Sequence, residues 1–193
     1  MRYFISVFFI VGLFVCFSFR GKSPSKVIID NKVSTTNVVA INSEEQHNKD
    51  VQTTNQATEF VRYAKTFIGT PYLYGSVDRN KGLDCSGFIN AVSNHFGIKV
   101  PRSSVEFTNL GTDVEMINAK PGDLILFTGT DPAKHIVGHI GIITNNENGD
   151  VQFIHSSSGK ANGVTISELE GYYESRLVKV IRIFPIGADK TVA

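Results

Sequence analysis

The hydrophobic period changes once along the chain, at Pro121, and that change limits the folds open to it. Before Pro121 apolar residues recur at helical spacing; after it they alternate or run in short bursts between turn residues. Phe60, Val61, Ala64, Phe67 and Ile68 make one helical face from about Gln56, stopped by Gly69. Phe88, Ile89, Val92 and Phe96 make a second, on a helix that begins at or near Cys85 and ends near Gly97. Between them GTPYLYGS, residues 69–76, is dense in Gly, Pro and Tyr and reads as a shaped turn. Beyond Pro121, PGDLILFTG (121–129), GHIGIITN (138–145) and VQFIHSSS (151–158) read as strands, with NENGD as the hairpin turn joining the last two. GVTISEL and LVKVIRIFP supply one or two more. Helices followed by an antiparallel meander mean an α+β fold, with helices packed against one side of a sheet.

The N-terminal part has a different composition. Residues 1–20 carry an apolar run from Tyr3 to Phe19 behind Arg2, the layout of a secretory signal or a short membrane anchor. Cys16 is a candidate for lipid modification, although Leu13, Phe14 and Val15 make a poor lipobox, and no small-x-small cleavage site follows. Arg20, Lys22 and Lys26 place more positive charge after the run than before it, which runs against export for an uncleaved anchor. Export remains the expectation, with an extracytoplasmic location and membrane attachment through residues 1–20 as an option. Residues 21–54 are rich in Ser, Thr, Asn, Lys and Gln without a sustained period and read as a flexible tether, in which VIID and NVVAI are the only strand candidates. The folded domain is expected over 55–193, as a monomer. A formal net charge of +1 and the lack of a basic stripe exclude nucleic acid as an expected partner.

Three side chains carry the chemistry. Cys85 stands at a helix start, where the dipole and free backbone N–H groups favour a thiolate; alone, such a cysteine is more often a small buried hydrophobe. His139 and His155 lie eight positions either side of residue 147, so a regular hairpin centred there sets them directly opposite each other on one face. Paired histidines on apolar strands are core residues, metal ligands, or a base with its orienting partner. His95, His135 and the scattered carboxylates show no zinc spacing, so no metal and no cofactor is expected. Cys85 makes the third option a cysteine hydrolase triad.

The stretches LDCSGF (83–88), GTPYLYG (69–75), PR (101–102), PGDLILF (121–127), GHIGI (138–142) and FIHSSS (153–158) resemble, in order, the NlpC/P60 family of cell-wall cysteine peptidases, across about residues 57–185. The resemblance implies a papain-like core and hydrolysis of peptidoglycan stem peptides, commonly between γ-D-glutamyl and a diamino acid. It makes Cys85 the nucleophile, His139 the general base and His155 the orienting residue. Tyr72 matches a tyrosine near the nucleophile that contacts substrate or the oxyanion. Asp84 and Ser86 match motif positions flanking the thiol, as substrate contacts or, for Asp84, a helix cap and, for Ser86, a first-turn hydrogen-bonding residue. Arg102 fits the pattern as a structural or a site residue, and Asp123 shapes the turn before its strand. Two departures, Ser76 for a second glycine and Phe107 where glutamine is frequent, bear on cleft shape. An N-acetylmuramoyl-L-alanine amidase on the same fold, and a catalytically idle wall-binding lipoprotein, are the alternatives.

Overall fold

The computed structural model describes residues 35–184. The leader with Cys16, the VIID stretch and the rest of the tether up to residue 34 lie outside the described residues. The chain divides into two compact units, Met1–Val39 and Ala40–Ala193. Of the first, only the opening residues of a helix are described. In chain order the elements are α1 (Thr35–Lys65), β1 (Val77–Asp78), β2 (Gly82–Leu83), α2 (Cys85–His95), a 3-10 segment Ser104–Asn109, β3 (Thr112–Val114), β4 (Leu124–Thr128), β5 (Val137–Glu147), β6 (Asp150–Ser157), β7 (Gly163–Glu168) and β8 (Leu177–Arg182).

α1 corrects the reading of residues 35–54 as loose tether and of NVVAI as a strand candidate, because both are helical. No Gly or Pro interrupts residues 35–65, and Glu44, Glu45, Gln46, Lys49 and Gln52 are good helix formers. Phe60, Val61 and Ala64 are buried near its end, and the sequence of the earlier turns carries no hydrophobic stripe. Among the described residues no helix is long and apolar enough to cross a membrane.

The six-stranded sheet is antiparallel throughout, in the order β3-β8-β4-β5-β6-β7. β4 to β7 form the expected meander, while β8 returns to the far side and slots between β3 and β4. Leu124, Leu126, Ile140, Ile142, Ile154 and Ile181 face the helical layer, where Phe60, Phe67, Phe88, Ile89 and Val92 close the main core. On the other face Ile125, Phe127, Ile143, Phe153 and Val180 pack under short segments that bring Met116, Ala119, Leu169 and Tyr173. β4, covered on both sides, is buried at every position, which is why it reads as a continuous apolar run. Asp123 shapes the turn into β4 as expected: it accepts from Lys120 N at 2.7 Å and from Arg182 Nε and Nη2 at 2.8 and 2.7 Å.

Candidate active site

The short β1–β2 ribbon delivers the chain to Asp84, which caps α2 and sets Cys85 at its first position. Asp84 Oδ1 accepts from Gly87 N at 2.6 Å, and Oδ2 accepts from Gly75 N, in the tyrosine loop, at 2.8 Å. Arg102 grips the same carboxylate with both terminal nitrogens, at 3.0 and 2.6 Å. Ser86 Oγ accepts from Arg102 Nη1 at 2.8 Å and donates to Asp84 Oδ1 at 3.3 Å. Both side chains are buried. The polar atoms of Asp84 and Ser86, expected as substrate contacts, bond inside the protein, where they hold the loop, the helix start and Arg102 together. Glycine at 87 is obligatory, since a Cβ there would meet Ser76 O at 2.1 Å.

Cys85 is 9% exposed. Its Sγ lies 3.9 Å from Gly138 O, and the backbone at Ile140 also contacts it, so the sulfur sits against the peptide groups on either side of His139. No hydrogen bond joins Sγ to the His139 ring among the described residues. Burial, and then the charge of Asp84, push the thiol pKa up, against a smaller pull from backbone contacts at Ser86, Ile140 and Cys85 itself. This reverses the expectation that the helix start favours the thiolate. Burial disfavours the charged thiolate.

His139 Nε2 and His155 Nδ1 are 2.8 Å apart, with the rings nearly perpendicular at 86°. The pair forms, but not by direct opposition. The hairpin turns at Asn148-Gly149, both with positive φ, and a bulge sits between Ile143 and Asn145. Ile142 therefore pairs with Ile154, which sets Gly141 beside His155 and makes His139 its diagonal neighbour on the same face. Gly141 keeps that crossing open, because a Cβ there would lie 2.7 Å from the Phe153 ring and 3.3 Å from His155 Cβ. Burial lowers His139 to about 3, assisted by His155 and Arg176, and lowers His155 to about 4. Both rings are neutral bases at neutral pH.

Tyr72 is half-buried near the thiol. Its pKa is raised by burial first and then by Cys85 and Asp84, and its hydroxyl bonds with Ser158. That places a phenol near the Cys85 thiol. Phe107 is fully buried in the main core, so this departure fills the interior rather than a cleft. Several neighbours had no sequence signal. Ser156 Oγ, buried on β6, donates to Leu83 O at 2.6 Å and ties the histidine strand to the approach to Cys85. Arg176, also buried, donates through Nη2 to Thr128 O and Gly129 O at 2.6 and 2.8 Å, pinning the end of β4 near His139. Ser167 and Tyr173 reach the outer nitrogen of His155. Among the described residues, no group of three or more His, Cys, Asp or Glu is placed to hold a metal ion.

The NlpC/P60 family model matches residues 69–182, which contain the thiol, both histidines and the whole meander. The chain belongs to the NlpC/P60 family. NlpC/P60 proteins are cysteine peptidases acting on peptidoglycan, and the helix-on-sheet, papain-like fold expected from the motifs is the one observed. The chain is 30% identical over 172 residues to a probable endopeptidase of Haemophilus influenzae, covering 88% of this chain and 89% of that one. It is 36% identical over 124 residues to the gamma-DL-glutamyl hydrolase of Bacillus subtilis, covering 63% of this chain but 28% of that protein. The crystal structure of an NlpC/P60 family protein from Bacillus cereus matches with a TM-score of 0.59 and 28% identity, over 67% of this chain and 40% of the other.

Proposed function

We propose that the protein is an exported cysteine endopeptidase that hydrolyses the γ-D-glutamyl–diamino acid bond of peptidoglycan stem peptides through Cys85, His139 and His155. The observation that carries this is the 2.8 Å contact between His139 Nε2 and His155 Nδ1, with the sulfur resting against the peptide groups that flank His139. With Nε2 engaged, Nδ1 is the nitrogen of His139 left to take the thiol proton. Since thiol and imidazoles are neutral at rest, deprotonation accompanies attack: Sγ bonds to the amide carbonyl carbon as its proton passes to His139. His139 returns that proton to the leaving amine, and water then cleaves the thioester, regenerating the thiol. The Tyr72 hydroxyl and the backbone N–H groups opening α2 are the donors assigned to the developing oxyanion. The name of the Bacillus subtilis relative supports the γ-glutamyl preference. Export rests on the apolar run of residues 1–20, and a catalytic domain over 55–193 on the span of the family match.

Digestion of defined muropeptides, read by mass spectrometry, tests the assignment. New γ-glutamyl carboxyl termini are expected from the native chain and none from Cys85→Ala, with the circular dichroism of the variant unchanged. Release of intact stem peptides from glycan would instead mark an amidase, and turnover by Cys85→Ala would eliminate the mechanism.

A further inference from the structure

The outer nitrogen of His155 has two partners, neither of them part of the proposed triad. Ser167 Oγ on β7 lies 3.0 Å from His155 Nε2, and the Tyr173 hydroxyl lies 3.5 Å from the same atom. β7 pairs Thr165 with His155 and Ser167 with Phe153, so Ser167 stands one diagonal step from His155 on the same face of the sheet. Tyr173 meets the ring edge-on at 5.2 Å, among Phe127 and Phe153, with its oxygen at the limit of hydrogen-bond reach. Ser167 is the better-placed partner.

We propose that Ser167 is a positioning residue for the hydrolysis: by accepting a hydrogen bond from His155 Nε2, it sets the tautomer of both imidazoles. The proposal rests on the Cys85, His139 and His155 reading above. To take the sulfur's proton, His139 must present a bare Nδ1. Its single proton then sits on Nε2 and is donated across 2.8 Å to His155 Nδ1. That leaves the proton of His155 on Nε2, where it requires an acceptor, and Ser167 Oγ is that acceptor. In the opposite ordering Ser167 donates, both rings carry their proton on Nδ1, and His139 has no vacant nitrogen for the thiol. A serine hydroxyl rotates to serve either ordering, so its surroundings decide. Ser167 lines an open pocket of about 650 Å³ together with Gln152, Glu168, Glu170, Tyr172 and Tyr173. Its O–H can be satisfied on that side, by solvent or carboxylate, leaving a lone pair for the ring.

The test uses the full chain with Ser167→Ala, Ser167→Thr and Cys85→Ala, muropeptide kinetics, and nitrogen-15 NMR of the histidine rings. Removal of one neutral hydrogen bond predicts a fall in kcat of about three- to tenfold for Ser167→Ala at unchanged KM, with Ser167→Thr restoring most of it. The native His155 is expected to show a protonated Nε2, and Ser167→Ala a mixture of tautomers. A native-like kcat in Ser167→Ala, a threonine variant as slow as the alanine one, or a native His155 protonated on Nδ1 overturns the proposal. Cleavage by Cys85→Ala would instead overturn the site assignment, and the NMR result would still decide whether Ser167 sets the His155 tautomer.

Discussion

Asp84 organises more of the site than any other single side chain. It takes the Gly87 amide at 2.6 Å, the Gly75 amide at 2.8 Å and both terminal nitrogens of Arg102. Its replacement by alanine removes the helix cap and leaves several donors unmatched. Asp84→Ala is expected to lower unfolding stability by about 2–4 kcal/mol, measured by urea titration. The histidines make a second prediction. Their folded pKa values, about 3 and about 4, lie below the ordinary 6.5, so between those values the unfolded chain binds more protons than the folded one. Their contribution to stability is complete above pH 6.5 and is lost as the pH falls toward about 3. The urea midpoint should therefore drop from pH 7.5 to pH 5, and His155→Asn should flatten that slope; a midpoint constant across the window would contradict the burial of neutral rings. At this scale the pairing of the two histidines and the capping role of Asp84 were legible in the sequence. The grip of Asp84 on Gly75 and Arg102 joins residues far apart in sequence, and no local pattern encodes it.

Among the elements, α1 and the β5–β6 hairpin show what periodicity can and cannot reveal. α1 is helical well before its sequence takes on an apolar stripe, and turns without a stripe leave no period to read. The same fact predicts that the early turns matter little to the domain. A chain beginning at Asn55, itself a good cap, is expected to melt within about 2 °C of the full chain, by differential scanning calorimetry; a larger drop would assign residues 35–54 a part in holding the fold. In the hairpin, the spacing of the histidines about residue 147 led to direct opposition. The true turn at Asn148-Gly149 and the bulge before Asn145 move the pairing by two positions. Because side chains alternate with period two, an even slip keeps both rings on one face. An odd slip would have separated them. The expectation of a histidine pair thus survived an error in register.

For the molecule as a whole, the helices-then-strands order and the β4–β7 meander were legible, because each strand there follows its neighbour through a short turn signal. The place of β8 was not. Its alternation in RLVKVIRI marks a strand, but its partners, β3 and β4, lie more than forty residues earlier in the chain. Only the tertiary pairing of Ile125 with Val180 and of Asp113 with Ile181 places it, together with Arg182 on Asp123. That insertion governs when the fold can be completed. Until residues 177–182 leave the ribosome, β3 has no neighbour to hydrogen-bond and one flank of the strand central to both cores stays open. The sheet can therefore close only after β8 has been made, whatever the meander has already paired.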